Sequence, residues 1–228
     1  MSSAPHRRGV FLDSLPEGDR GRLLDSGTER AWDRDELLVR TGDRADSAIV
    51  LLTGLVKIHR SNSDGDEVLL GISGPGELLG EIAAVRDARR SATATALEPV
   101  RGVVIAVAAL RSFLTANPGS ALALLDLALS RLHAADARRL EFATAGSLAR
   151  VASRVLELAE RFGTPAEGGT IEVSIPFSQD ELASWSASSR ESTARALRTL
   201  RQLGLIETSR LHLVVQDLDG LRGHAPRL

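Results

Sequence analysis

The sequence predicts an α+β fold with a jelly-roll-like β unit, one long helix and a C-terminal winged helix-turn-helix. Three observations support this prediction. Short apolar runs alternate with glycine-containing turns from residue 29 to 107, as in a compact β unit. After Pro118 the apolar period becomes helical, and after Phe177 two capped helices follow closely. We therefore expect three parts: residues 1–117, 118–145 and 146–228.

The N-terminal part begins with a short amphipathic helix predicted over residues 11–26. Five apolar runs then predict strands at residues 37–39, 49–52, 55–58, 68–72 and 103–107. Glycine-containing turns are predicted at residues 41–43, 53–54, 64–66 and 74–76.

The long helix carries a row of leucines in steps of three and four residues: Leu122, Leu125, Leu129 and Leu132. This spacing is typical of a coiled-coil seam, although a helix lying on its own domain has a similar pattern. The row continues to Asp136, whose carboxylate suits a partner-facing or ligand-facing position better than a core. We therefore expect a homodimer, in which each buried leucine contributes roughly 1.5–3 kcal/mol.

The C-terminal part has the pattern of a helix-turn-helix. We expect a hinge at Gly146, a helix over Ser147–Phe162 and a strand over residues 171–175. Ser178 then precedes Glu181 by three residues, which predicts a capping box. Ser188 and Glu191 predict a second one. Leu182 and Ala183 are expected to face inward, and residues 186–188 to form the turn.

The second of these helices is rich in arginine, with Arg190, Arg195, Arg198 and Arg201 against the single Glu191. Arginine can bind guanine with two hydrogen bonds, and glutamate can accept one from cytosine N4. Its buried side is expected at Leu197, Leu200 and Leu203, and residues 205–215 are expected to form the wing. The pattern predicts binding to double-stranded DNA; the alternative is a solvated arginine-rich helix.

A second group of residues lies inside the β unit. A helix beginning near Gly80 would present free backbone N–H groups to an anion, and Arg90 would offer a fork of donors to phosphate oxygens. Ser91 adds a hydroxyl donor, and Glu81 could accept from a ribose hydroxyl. We call Gly80, Glu81, Ile82, Arg90 and Ser91 the cassette. The alternative is a surface turn with an ion pair between Glu81 and Arg90.

Composition argues against several other classes of protein. The chain has no cysteine and five scattered histidines, so we expect no disulfide and no metal site. No Walker A loop or catalytic triad is recognisable, so we expect no catalytic residues and no enzyme. No apolar run approaches 18 residues and no signal peptide is recognisable, so we expect a cytoplasmic protein without a membrane partner. The net charge of −2 requires any DNA contact to come from a local patch.

Over residues 11–221 the chain resembles the cyclic-AMP receptor protein/fumarate–nitrate regulator (Crp/Fnr) superfamily. The resemblance is carried by Gly80-Glu81 with Arg90-Ser91-Ala92, and by the recognition-helix run at residues 189–195. It implies a cyclic nucleotide effector, cyclic AMP or cyclic GMP. Arg90 and Ser91 would hold its phosphate, Glu81 its ribose, and Gly80 and Ile82 would donate backbone N–H groups.

The resemblance also implies a DNA interface that includes Ser178, Ser189, Arg190, Glu191 and Arg195. A homodimer would bind a pseudo-palindromic operator with half-sites about 34–36 Å apart. RNA polymerase is a further partner implied by the family.

Two departures from the family pattern leave alternatives open. Ala135 and Asp136 stand where cyclic-AMP binders carry hydroxyls that contact adenine, so another ligand, or DNA binding without one, is an alternative. Ala187 stands where glycine is usual, at a turn position where a left-handed conformation would cost about 1–2 kcal/mol, and Ser186 replaces an apolar residue. Residues 147–228 hold ten arginines and ten acids, which leaves a ligand-binding scaffold without DNA function as a further alternative.

Overall fold

The computed structural model describes residues 10–61, 67–82, 88–174, 178–209 and 212–226. These residues form two compact units. The first unit comprises residues 10–60, 70–82 and 88–133, and the second comprises residues 61, 67–69, 134–174, 178–209 and 212–226. In these ranges, no helix combines the length and apolar character needed to cross a bilayer.

The first unit contains two four-stranded sheets, in the orders β1-β8-β3-β6 and β2-β7-β4-β5, except that residues 61 and 67–69, at the ends of β4 and β5, group with the second unit. Their strands are β1 (Thr28–Trp32), β2 (Leu37–Val39), β3 (Ser47–Thr53), β4 (Val56–Ser61), β5 (Glu67–Ser73), β6 (Leu78–Leu79), β7 (Thr93–Ala96) and β8 (Val100–Ala106). Strand β3 pairs antiparallel with β8, with Val50 opposite Val103. The expected β unit is therefore present.

Strand β3 is apolar on both faces because each face meets a different core. Ile49 and Leu51 pack between the two sheets, together with Trp32 and Val56. Ala48 and Val50 point the other way, into a core that helices complete. Those helices are α1 (Phe11–Ser14), α2 (Asp19–Asp25), α3 (Val107–Ala116) and α4 (Pro118–Thr144).

Several details of this unit differ from the prediction. The helix expected over residues 11–26 is broken into α1 and α2, because Pro16 follows α1 and Gly18 adopts a left-handed φ of 84°. Strands β1, β6 and β7 were not expected; β1 has few apolar residues and β6 is only two residues long. The turn predicted at residues 64–66 lies outside the described residues.

The long helix α4 presents two different apolar faces. Leu124 and Leu127 are buried in the core of the first unit. The four leucines of the predicted seam are instead 46 to 66% exposed in the single chain: Leu122, Leu125, Leu129 and Leu132. The seam is therefore not the face with which α4 packs on its own domain.

The second unit contains the predicted helix-turn-helix and its wing. Its elements are α5 (Ser147–Phe162), β9 (Thr164–Pro165), a 3-10 turn (Glu167–Gly169), β10 (Ile171–Ser174), α6 (Gln179–Trp185), α7 (Arg190–Gln202), β11 (Ile206–Ser209), β12 (His212–Val215) and α8 (Leu218–His224). The four strands form one sheet in the order β11-β12-β10-β9. Helix α8 was not expected; it is capped by the Asp217 side chain, which accepts from the Gly220 N–H at 2.9 Å.

Candidate functional site

The cassette brings Gly80 and Arg90 together. Gly80 adopts a left-handed φ of 78°, and a Cβ atom at this position would overlap Nη1 of Arg90. The absence of a side chain thus allows the guanidinium to lie directly against the backbone. Glu81 and Ile82 begin a helical turn, as expected, and the residues that would continue it, 83–87, lie outside the described part of the chain.

Arg90 is a buried cation with an unused donor. The residue is 8% exposed, and its Nη2 donates to Oγ of Ser47 at 3.1 Å. Its Nη1 is buried and has no hydrogen-bond partner among the described residues. Burial lowers the pKa of Arg90, opposed by the charges of Asp46, Asp43 and Glu81. A buried guanidinium with a free N–H is suited to bind an anion.

Glu81 forms an ion pair that the sequence pattern did not predict. Its Oε1 accepts from Nη1 of Arg131 at 2.5 Å, and Nη2 of Arg131 donates to the Leu78 carbonyl at 2.9 Å. Glu81 thus pairs with Arg131 and not with Arg90, which would be its partner if the cassette were only a surface turn. Arg131 lies 50 residues away on α4, and no local sequence pattern singles it out as the partner of Glu81.

The other residues predicted to contact a ligand are Ser91, Ile82 and Asp136, and no described side-chain contact joins them to Arg90 or Glu81. Ser91 is exposed beside Arg90, and Ile82 is 46% exposed. Asp136 accepts from Nη1 of Arg139 at 3.0 Å and belongs to the second unit. The roles of these three residues toward a ligand stay predictions.

The first capping box of the helix-turn-helix is present. The Ser178 side chain accepts from the Glu181 backbone N–H at 3.2 Å, and Glu181 accepts from the Ser178 N–H at 2.7 Å. Leu182 and Ala183 are buried, as expected. Helix α6 therefore begins where the sequence predicts.

The N-cap predicted for the second helix, Ser188, is wrong by one residue. Helix α7 begins at Arg190, and its N-cap is Ser189, whose Oγ accepts from the Ser192 N–H at 3.2 Å. Ser188 remains in the turn, where its N–H donates to the Ala183 carbonyl and its Oγ to the Ser186 carbonyl. These bonds hold Ser188 outside the helix.

The turn itself adopts the conformation expected from its position. Ala187 has a left-handed φ of 47°, and Ser186 is fully buried with its Oγ donating to the Ala183 carbonyl at 3.2 Å. Arg150 on α5 closes the turn: its Nε donates to the Ser186 carbonyl and its Nη2 to the Ala187 carbonyl, at 2.8 and 2.9 Å. The sequence pattern indicated no such role for Arg150.

The predicted DNA-contacting face of α7 is exposed at Arg190, Glu191 and Arg195. Arg190 is ion-paired with Asp180 on α6, and the hydrogen bond from Arg190 lowers the pKa of Asp180. Nη2 of Arg195 donates to Ser192 Oγ at 3.1 Å.

The buried side of α7 differs from the prediction at one position. Leu197 and Leu200 are buried, as expected. The expectation for Leu203 is wrong: it is 51% exposed because it caps the end of α7.

Within the described ranges, no group of three or more histidine, aspartate or glutamate side chains is placed to hold a metal ion. The structure therefore offers two candidate sites: the cassette around Arg90 and the exposed face of α7.

Comparison with known proteins shows that each candidate site lies in a residue range that matches a known domain family. Residues 29–117 match the family model "Cyclic nucleotide-binding domain", and residues 149–223 match "Crp-like helix-turn-helix domain". The chain is 31% identical over 192 residues to a protein of Mycobacterium tuberculosis named CRP-like cAMP-activated global transcriptional regulator, covering 84% of this chain and 85% of that protein.

Solved structures are similar over most of their length. A CRP-family transcriptional regulator from Thermus thermophilus is 26% identical with a TM-score of 0.71, covering 86% of this chain and 96% of that one. FixK2 from Bradyrhizobium japonicum has a TM-score of 0.77 at 20% identity, covering 89% of this chain and 98% of its own, and supports the fold.

Proposed function

Because the chain belongs to the Crp/Fnr family of DNA-binding transcriptional regulators, with a cyclic nucleotide-binding domain, we propose that it is a homodimer controlled by a cyclic nucleotide bound at Arg90. The observation that carries the proposal is the buried Arg90 guanidinium with an unused Nη1 donor against Gly80. In this proposal the protein acts in the cytoplasm, contacts RNA polymerase and catalyses no reaction.

The ligand is held from its phosphate end. Arg90 donates to the cyclic phosphate from Nη1, and Ser91 adds its hydroxyl. The backbone N–H groups of Gly80 and Ile82 lie near the start of a helical turn and favour a negative charge. Glu81 accepts from the ribose hydroxyl after Arg131 has shifted or shared its hydrogen bond.

Cyclic AMP is the first candidate ligand and cyclic GMP the second. The name of the Mycobacterium tuberculosis relative, cAMP-activated, supports cyclic AMP. Ala135 offers no side-chain hydrogen bond to a base, whereas Asp136 can accept from an exocyclic amine. Direct comparison of the two nucleotides is therefore part of the test.

The DNA target is a pseudo-palindrome bound in the major groove by α7 from each protomer. Arg190, Glu191 and Arg195 contact base edges, while Ser178 and Ser189 contact the backbone near the helix N-termini. The exposed row of leucines on α4 supports a two-fold dimer, because an isolated chain would leave this apolar face in water.

The test is calorimetric titration of the purified chain with cyclic AMP and with cyclic GMP. Arg90→Ala should lose at least about tenfold in affinity, since a hydrogen bond to a charged group contributes about 1.5–3 kcal/mol. The matched control is Arg89→Ala, which removes the exposed neighbouring guanidinium that donates to the Gly42 carbonyl. Equal losses in the two variants would contradict the proposed role of Arg90.

A second candidate function is a DNA-binding regulator that needs no cyclic nucleotide. It is favoured by the ion pair with Arg131, which already occupies the carboxylate of Glu81. An operator selected from a random duplex pool would be titrated with and without each nucleotide. Unchanged affinity, together with no calorimetric binding, would support the second candidate.

A further inference from the structure

Five charged side chains form a cluster at the junction of α4 and α5. We call them the hinge cluster; they are Arg138 and Glu141 on α4, and Arg154, Glu157 and Arg161 on α5. The two helices are joined by Ala145 and Gly146. The cluster therefore spans the hinge that the sequence predicts at Gly146, and neither the nucleotide nor the DNA proposal uses it.

Glu141 is the most buried acid of the cluster. The residue is 1% exposed, and its Oε2 accepts from Nη2 of Arg154 at 2.6 Å. Its other oxygen, Oε1, is buried and has no hydrogen-bond partner among the described residues. A carboxylate with one unsatisfied buried oxygen is poorly compensated for the loss of water.

The partner cation is divided between two acids. Nη1 of Arg154 donates to Glu157 at 3.0 Å, while its Nη2 donates to Glu141. Glu157 also accepts from Arg138 at 3.0 Å and from Arg161 at 2.8 Å. Arg154 would thus keep Glu157 as a counter-ion if Glu141 became neutral, so neutralising Glu141 leaves no isolated buried charge.

Arg154 also touches the helix-turn-helix. Its guanidinium carbon lies 5.5 Å from the centre of the Trp185 ring on α6. A change in the packing of Arg154 should therefore alter the surroundings of the Trp185 indole and with them its fluorescence. The chain has only two tryptophans, and the other, Trp32, lies in the first unit.

We propose that Glu141 is a proton-responsive latch of the hinge. When its carboxyl is neutral, α4 and α5 stay packed; when it is ionised, the buried negative charge favours an arrangement in which the junction opens and Glu141 reaches water. The charged groups that act on Glu141 are Arg138 on its own helix and Arg154 and Glu157 on α5. The proposal does not depend on nucleotide or DNA binding.

The direction of the effect follows from burial. Desolvation raises the pKa of Glu141 above the ordinary 4.5. The charge of Arg154, the nearby Ser153 hydroxyl and the charge of Arg138 oppose this rise, and the charge of Glu157 reinforces it. The packed junction then binds the proton more tightly than the open one. The stability that protonated Glu141 gives to the packed junction is fully present below pH 4.5 and is lost as the pH rises through the raised pKa of Glu141.

Trp185 fluorescence gives a direct measurement in a Trp32→Phe background of the full chain. We expect an emission change with pH whose midpoint lies above 4.5, the ordinary pKa of the acid, and its loss in Glu141→Gln, which mimics the neutral acid. The matched control is Glu160→Gln on α5, whose carboxylate is exposed and paired with Arg222. This control should keep the transition.

Hydrogen exchange at the junction amides provides a second readout. After correction for intrinsic rates, opening should increase with pH in the unmodified chain, by up to about tenfold per unit of pKa difference. In Glu141→Gln it should be independent of pH. A transition that persists unchanged in Glu141→Gln would overturn the proposal.

A further variant separates the latch from a general loss of packing. The double substitution Glu141→Leu with Arg154→Leu replaces the buried pair by apolar side chains, which proteins often tolerate. It should fold and show no pH-dependent opening of the junction. A folded double variant that still opens with rising pH would also overturn the proposal.

Discussion

The guanidinium of Arg90 occupies the space that a side chain at Gly80 would need. This relationship joins two residues of the cassette that are ten positions apart in the sequence. The left-handed φ of Gly80 and the burial of Arg90 are therefore parts of one arrangement.

Gly80→Ala should displace Arg90 and weaken nucleotide binding by about tenfold or more, because the charged hydrogen bonds depend on the guanidinium position. The control is Gly42→Ala, which has a similar left-handed φ of 87° but open space around the added Cβ. Both variants should lose about 1–2 kcal/mol of unfolding free energy. Calorimetric titration should reveal a binding defect in Gly80→Ala alone.

Ala187→Gly should stabilise the second unit. Relief of the left-handed conformation gains about 1–2 kcal/mol, and the greater freedom of glycine in the unfolded chain offsets about 0.5–1 kcal/mol of it. We expect a net gain of about 1 kcal/mol in chemical denaturation. Ala166→Gly, at an extended φ of −124°, should give no gain; equal effects at both positions would argue against strain in the turn.

Asp180→Asn should strengthen DNA binding. In the free chain Arg190 is paired with Asp180, so contact with a base or phosphate must displace this acid. Because the hydrogen bond from Arg190 lowers the pKa of Asp180, the acid stays ionised and competes at neutral pH. Fluorescence anisotropy with a selected operator should show tighter binding at low salt. Weaker binding would instead indicate that Asp180 orients Arg190 for contact.

Leu125→Glu should convert the proposed dimer to monomers, because a charge would enter the row of exposed leucines on α4. Ser130→Glu is the matched control, since Ser130 is exposed on the same helix outside the row. Sedimentation equilibrium distinguishes the two variants. A dimer that survives Leu125→Glu would place the interface elsewhere.

Local features of the sequence were sufficient for some elements. The limits of α5 and the capping box at Ser178 were predicted because caps and helical periods depend on neighbouring residues. The N-cap of α7 was misplaced because Ser188 and Ser189 both precede a polar residue by three positions. Long-range bonds from Arg150 to the turn decide between these serines.

Contacts between distant segments could not be predicted from the local sequence pattern. The cassette residues Gly80 and Arg90 were identified, but the partner of Glu81 was not, since Arg131 is 50 residues away. Strand β7 also escaped prediction because its small residues, at 93–96, are buried by pairing with β2 and β4 rather than by their own apolar pattern.

Helix α4 buries Leu124 and Leu127 in the first unit and leaves the leucine row exposed, where the proposed dimer would bury it. Mass action then links self-association to thermal stability, because a partner that binds only the folded chain raises its melting temperature. The melting temperature of the nucleotide-binding unit should increase with protein concentration. In a cell, the copy number of the protein would influence how much of it is assembled and ready to respond.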